Sequence, residues 1–195
     1  MNVTYRRGTK DDCQKISELD YIASEGAIEY LFHDLVPNMS AIQVVNNGLA
    51  QDVYPHSFRS TIVAEIEKQV VGMTLSYPAK LHRITQELKA FLPKERLEHF
   101  EDFYSSRVDG SYLLDALCVF EKHRKKGIGK SLLIKTMNKA RDEGYNELSL
   151  IVFSDNQNAI NFYKTNAFET VKSIKLLPHQ LLPHEGGCML MKRAL

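Results

Sequence analysis

Tyr112-Leu113-Leu114-Asp115-Ala116-Leu117-Cys118-Val119-Phe120 runs directly into Glu121-Lys122-His123-Arg124-Lys125-Lys126-Gly127-Ile128-Gly129-Lys130, and this stretch decides the fold. Its first half is apolar, short and rich in residues that favour strands, so it reads as a buried strand. Beyond the glycines, Ile128, Leu132, Leu133, Met137 and Ala140 recur at helical spacing, and Gly144 supplies a stop. The order is strand, basic glycine-rich turn, helix. Such a turn aims several backbone N–H groups and the positive end of a helix at one point, which suits a phosphate. Gly127 and Gly129 lack Cβ, so an anion can approach the main chain there.

A pair of glycines at fixed spacing means little alone. At a glycine frequency of about 7%, a chain of 195 residues holds about one such pair by chance. Arg124 before the pair and the flanking strand and helix give it weight. Two other phosphate loops fail. Gly129-Lys130-Ser131 ends like a P-loop, but the first glycine of that motif would fall on Arg124. A dinucleotide fingerprint would need its third glycine at Leu132.

Arg-x-x-Gly-x-Gly after a strand carrying Leu117-x-Val119 resembles the GNAT superfamily of acyl-CoA N-acyltransferases, whose loop binds the pyrophosphate of coenzyme A. A second segment supports the resemblance. Leu150–Phe153 reads as a strand, followed by Asn156-x-x-Ala159-x-x-x-Tyr163 on a short helix and then Ala167-Phe168, where the family usually has Gly-Phe. The resemblance is sharp over about 111–170 and weak before residue 60. It implies an α/β (α+β) fold: a central, mostly antiparallel mixed sheet of six or seven strands with helices on both faces. It further implies acetyl-CoA as co-substrate. Its binding residues would be Leu117, Val119, Arg124, Lys125, Lys126, Gly127, Ile128, Gly129, Lys130, Asn156 and Ala159. The three lysines are also the kind of exposed side chain that needs no role.

Composition agrees with one domain over 1–195. The chain is long enough for a substantial core, and 44% hydrophobic residues is ordinary for a soluble protein. No apolar run approaches the roughly 18 residues of a membrane span, and the N-terminus carries no apolar signal core. Cys13, Cys118 and Cys188 are odd in number and scattered, which favours a reduced, cytoplasmic protein over a secreted one. A net charge of +1 makes no case for nucleic acid.

In chain order, Val3–Arg7 reads as a strand, and Thr9 caps a helix over Lys10–Ala23 with Cys13, Ile16, Leu19 and Ile22 on its apolar side. Gly26 breaks it. Helices over Ala27–Leu35 and, capped by Ser40, over Ala41–Gln51 follow, in the region where the family shapes its acceptor site. Thr61–Ile66 and Val70–Tyr77 read as a hairpin. Residues 78–110 form a helical insertion, with helices over Leu81–Phe91 and Lys94–Ser106 divided by Pro93. The second carries Leu97, Phe100 and Tyr104 on one side. It reads as a helix packed on the domain, as a lid over the acceptor, or as the contact of a homodimer. Strands over Glu147–Val152, Phe168–Ile174 and Cys188–Lys192 complete the chain, with the Asn156–Lys164 helix between the first two.

Amine acylation sets the chemical requirements. An alkylammonium has no lone pair and a pKa near ~10, so a base must take a proton near neutral pH. The thioester carbonyl needs a hydrogen-bond donor where negative charge develops. By resemblance, the Val119 N–H is that donor and Tyr163 protonates the departing sulfur; Tyr163 could equally be an aromatic anchor for its helix. Many relatives carry glutamate at the position of Leu113, so that base is missing. Simple alternation puts 113, 115, 117 and 119 on one strand face. Asp115 is therefore the candidate base, or else a hydrogen-bond partner for a nearby loop. Alternation also turns Cys118 away from Asp115, and Cys118 reads as a core residue. Glu25, Glu29 and Asp34 are either an acidic lining for a cationic amine or a solvated helix face. His179 and His184 do not have metal-ligand spacing, and no metal is expected.

Overall fold

The computed structural model describes residues 2–195. Its centre is a sheet of seven strands in the order β1-β2-β3-β4-β5-β7-β6. These are β1 Thr4–Arg7, β2 Thr61–Ile66, β3 Gln69–Pro78, β4 Tyr112–Val119, β5 Glu147–Phe153, β6 Glu169–Ile174 and β7 Cys188–Ala194. All neighbours are antiparallel except β4 and β5, which run parallel and pair only at Tyr112–Leu148 and Leu113–Ser149. Beyond those two pairs the strands part, and a wedge opens towards the C-terminal end of β4.

The helices divide between the two faces. One face carries α1 (Cys13–Ala23), α2 (Ala27–Phe32), α3 (Ala41–Ala50) and the short α4 (Gln86–Phe91), α5 (Lys94–His99) and α6 (Glu101–Ser105). The other carries α7 (Ile128–Asp142) and α8 (Gln157–Thr165). Cys13, Ile16 and Leu19 of α1 pack on Met73, Leu75, Tyr77, Leu113, Ala116 and Cys118. Opposite them, Leu133 and Met137 of α7 and Ile160 and Tyr163 of α8 pack on Tyr112, Leu114, Leu150 and Val152. β3 is buried along almost its whole length, as a central strand covered on both sides must be.

Local signals explain most element ends. Thr9 forms a capping box with Asp12 over a turn of 3₁₀ helix, Lys10–Asp12, that leads into α1. The Ser40 hydroxyl accepts the Gln43 N–H at the start of α3. The β2–β3 hairpin turns on Glu67 and Lys68, both at positive φ, as its two-residue loop requires. Ala167 closes α8 at φ 62, in the left-handed region that favours glycine.

Two helical expectations are corrected in the 78–110 segment. The first helix does not begin at Leu81: residues 79–81 form a 3₁₀ turn, and α4 starts at Gln86 with the Thr85 hydroxyl accepting the Leu88 N–H. The second is not continuous over Lys94–Ser106. It divides at Phe100, whose φ of −98° and ψ of 12° interrupt the helix so that its ring can be buried beside Leu31, Leu92 and Leu97. Tertiary burial outweighs a favourable helical pattern there.

Candidate active site

The wedge is lined from β4. The Phe120 N–H donates to Val71 O of β3, so strand alternation turns the N–H of Val119, and of Leu117 before it, towards the gap left by β5. The Val119 carbonyl on that side already accepts the Arg124 Nε–H at 2.9 Å. Leu117 and Val119 project their side chains to the α7 face, where Val119 packs with Ile128 and Leu132.

At the mouth of the wedge lies the start of α7. Lys125 (φ 59) and Gly127 (φ 78) are both left-handed, which folds the loop back on the helix end. Among the described residues, no backbone N–H from Lys125 to Lys130 donates to a backbone carbonyl outside the regular elements, and no side chain caps Gly127. Uncapped amides, the positive end of a helix of 15 residues and exposed Arg124, Lys125, Lys126 and Lys130 therefore converge. An anion is the partner this arrangement lacks. The two glycines differ in their reasons. Gly127 is needed for its positive φ. Gly129 has ordinary φ, and an added Cβ would lie 3.7 and 3.9 Å from Leu117 and Val119 side chains, at the point where a ligand entering the wedge would pass.

Across the wedge, Tyr163 of α8 is buried, packed edge-on against Phe162 and Phe168 with ring centroids 5.3 and 5.5 Å away. Its hydroxyl makes no hydrogen bond among the described residues. Burial, then the charge of Glu25, pushes the phenol pKa well above its ordinary value, so it stays a proton donor. Asn156 is the α8 cap: its Oδ1 accepts the Ala159 N–H at 2.9 Å and its Nδ2 donates to Glu25. Both polar atoms of Asn156 are thus engaged inside the protein, and the half-buried Ala159 packs beside the core. Glu25 sits at φ 48, and Gly26 at φ 107 brings the chain within contact of the Leu181 carbonyl, too close for any Cβ. Burial raises the Glu25 carboxyl pKa, against the pull of His184, Asn156 and Arg124. Glu29 is less available, since it accepts Tyr21 Oη at 2.9 Å and lies 2.9 Å from His33 Nδ1. Asp34 is an exposed turn residue beside His33.

Asp115 corrects the simple reading of β4. The register with β3 shifts between Leu75 and Ser76, leaving Asp115 as an extra, bulged residue between Leu114 and Ala116. Alternation therefore restarts after it. Leu113, Ala116 and Cys118 share the α1 face, while Leu117 and Val119 occupy the other. Asp115 reaches the α1 face too, because Tyr77 Oη donates to its Oδ1 at 2.9 Å. Cys118 thus lies on the same side as Asp115, and it is buried, as is Leu113.

Around Asp115 stand groups that the sequence did not bring together. His56 Nε2 lies 3.7 Å from Asp115 Oδ2 and 3.5 Å from Tyr77 Oη, with its side chain 55% exposed at the rim. His82 is buried, with Nε2 3.1 Å from the Phe103 carbonyl and Nδ1 unpartnered. Tyr104 packs against His82 with ring centroids 5.3 Å apart. Asp20, on the last turns of α1, completes the set. Burial would raise the Asp115 carboxyl pKa, but the hydrogen bond and charge of His56, then His82 and Tyr77, hold it below the usual carboxylate range. Asp20 behaves oppositely: burial first, and the nearby Asp115 charge second, push it up to about 7. Asp20 had a legible signal, since it follows Cys13 and Ile16 at helical spacing on the buried side. His56 had none.

Two shallow depressions elsewhere, one beside Thr4 and Glu65 and one between α1 and α3, hold none of these groups. His184 bridges Asp155 (2.8 Å) and the Glu25 carbonyl (2.9 Å) and stacks on Phe153, so it ties the last loop to the site. No group of residues able to hold a metal is found among the described residues, and none of their helices is long and apolar enough to cross a membrane.

Comparison with known proteins agrees with this geometry. An N-acetyltransferase from Staphylococcus aureus Mu50 superposes with a TM-score of 0.72 at 19% identity, covering 98% of this chain and 100% of its own. The PaiA N-acetyltransferase of Thermoplasma acidophilum, solved in complex with coenzyme A, gives 0.56 at 13% identity over 100% of both chains. A ribosomal-protein-alanine N-acetyltransferase from Brucella melitensis gives 0.57 at 20% identity over 98% of this chain and 99% of its own. A search of curated protein sequences finds no match. The model of the acetyltransferase (GNAT) family matches residues 43–168, from α3 through α8 to Phe168. With the parted β4 and β5, the uncapped basic turn and a family match over more than half its length, the chain belongs to the GNAT acetyltransferase family.

Proposed function

We propose that the protein transfers acetyl from acetyl-CoA to the primary amine of a small molecule by direct attack in a ternary complex. The observation that carries this reading is the open wedge between β4 and β5 with unsatisfied amides and Arg124 at its mouth. The pyrophosphate binds at Arg124–Lys130, and the pantetheine arm passes Gly129 between the strands. The Val119 N–H polarises the thioester carbonyl, where it stabilises the oxyanion more than the ground-state carbonyl. Tyr163 protonates the departing thiolate. The ammonium loses its proton within the carboxylate-rich pocket around Asp115, on the face opposite α7. Glu25, close enough to Tyr163 to raise its pKa, adds negative charge that draws a cationic amine to the wedge.

Residues 78–110 support a small acceptor. This insertion in a single domain is tied down on both sides of the pocket: Arg96 Nη1 donates to the Leu31 carbonyl of α2 at 2.9 Å, and His99 Nε2 lies 3.0 Å from the Leu177 carbonyl. A segment fixed at both points narrows the open groove that a peptide would need. The ribosomal-protein-alanine enzyme among the structural neighbours supports a second reading, in which the acceptor is a protein N-terminus.

The test is thiol release from acetyl-CoA by the purified protein against polyamines, amino acids, aminoglycosides, arylalkylamines and short peptides. Release dependent on one small amine is expected. Release only with peptides would establish the second reading. Binding of acetyl-CoA without release across the panel would leave a non-catalytic acyl-CoA-binding module.

A further inference from the structure

We propose that Asp20, and not the Asp115 beside it, is the group that takes the proton from the acceptor ammonium, with Asp115 and His56 as the residues that position and tune it. This rests on the acetyl-transfer reading above.

Hydrogen-bond occupancy separates the two carboxylates. Asp115 accepts from Tyr77 at 2.9 Å and faces His56 at 3.7 Å, so its charge is already compensated by the fold. The Asp20 carboxylate accepts no hydrogen bond among the described residues, although it is half-buried on the face of α1 that covers β4. A carboxylate so placed lacks a cation, and the acceptor ammonium is a cation that must reach this face. His82 adds a second unsatisfied group from another element, since its Nδ1 is buried without a partner and its ring lies within electrostatic reach of Asp115.

Position agrees. Asp20 is close enough to Cys118 to raise that thiol's pKa, and Cys118 in turn raises that of Tyr163. Asp20 and Tyr163 thus flank one residue of β4 at the wedge, one suited to accept a proton and one to donate it. The titratable groups facing Asp20 are Asp115 and Cys118 from β4, Tyr77 from β3 and His56 from the loop before β2. His82 and Tyr104 of the 78–110 segment face Asp115. With burial and Asp115 lifting it to about 7, Asp20 has the proton affinity that general-base catalysis near neutral pH requires, which the more acidic Asp115 lacks.

The step balances. Asp20 takes one proton from R–NH3+, and the freed amine attacks the thioester carbon as the C=O pair moves onto oxygen. The C–S bond then breaks, and the thiolate takes the Tyr163 proton. The proton shed by the new amide nitrogen restores the Tyr163 phenol. The proton on Asp20 leaves to solvent past His56 at the rim.

The experiment is the pH profile of kcat/KM for the amine that gives thiol release, for wild type and three variants. Wild type should show an acid limb near 7, the value lifted onto Asp20 by burial and Asp115. Asp20→Asn should lose that limb and fall about 10²–10³-fold in kcat/KM, with acetyl-CoA affinity and Tm retained; Asp20→Glu should recover part of the loss. Asp115→Asn removes a like charge, so the limb should move to lower pH. His56→Gln removes a cationic neighbour, so it should move to higher pH. If Asp20→Asn does not fold, these two opposite shifts decide the matter. An Asp20→Asn enzyme within threefold of wild type with its acid limb in place, or limbs unmoved in the other two, would overturn the assignment while leaving acetyl transfer intact. Wild-type protein that binds acetyl-CoA but releases no thiol with any amine would overturn the reading beneath it.

Discussion

Tyr163→Phe is the most informative single substitution, because its effects on rate and on folding separate. The Tyr163 ring is buried against Phe162 and Phe168, and phenylalanine keeps all of that packing. The hydroxyl has no hydrogen-bond partner among the described residues, so removing it strands no other group and relieves a buried unpaired polar atom. The stability change should lie within about 0.5 kcal/mol, or about 2 °C in Tm for a chain of this size. Tyr163→Ala, by contrast, should cost about 3–5 kcal/mol as a core aromatic truncation. Loss of a general acid lowers kcat about 10²–10⁴-fold, equivalent to about 3–5 kcal/mol of barrier. The assay is stopped-flow or continuous thiol detection at saturating acetyl-CoA, with acetyl-CoA affinity measured by calorimetry and Tm by circular dichroism. Because burial and Glu25 raise the phenol pKa above its ordinary 10.0, wild-type activity should show no loss from Tyr163 ionisation below that pH. A Tyr163→Phe protein with kcat within threefold of wild type and unchanged Tm would refute the acid role and leave the ring as an anchor for α8.

Three further outcomes follow from particular residues. Gly127→Ala places a Cβ at φ 78 with no atom within 4 Å, so the penalty is conformational, about 1–2 kcal/mol; coenzyme A affinity by calorimetry should fall as the loop relaxes. Ala167→Gly relieves the opposite situation, a side chain at φ 62, and should raise stability by about 0.5–1 kcal/mol in urea unfolding. Asp12 accepts from Arg6 at 2.6 and 2.9 Å and from the Thr9 N–H at 2.8 Å. Burial acts to raise its pKa, but Arg6 and Thr9 outweigh it and hold the value below the ordinary 3.8. Its contribution is therefore present above pH 3.8 and lost as pH falls through the lower folded value. Asp12→Asn should cost about 1.5–3 kcal/mol at pH 6, and the gap to wild type should close in strong acid; a gap independent of pH would mean the charge is not its source.

What the sequence determined by itself is what local pattern encodes. The strand-turn-helix of 112–142, the helix after Asn156, the capped α1 and α3 and the Glu67-Lys68 hairpin are each specified by neighbours a few residues apart. So is the left-handed close at Ala167, where the family's usual glycine marked the conformation in advance. The tertiary structure decided three things. One extra residue in β4, Asp115, reset the strand's alternation and moved Cys118 to the α1 face; a bulge is defined by the register with β3, which no single strand carries. The helix expected over 94–106 broke at Phe100 because burial against α2 residues outweighed local helical preference. The pocket drew Asp20, His56, Tyr77, His82, Tyr104 and Asp115 from five separated elements and loops, and its proton affinities arise from burial and mutual charge. Desolvation and Coulomb interaction depend on distance in space, and chain order does not reveal that distance until the sheet has brought the pieces together.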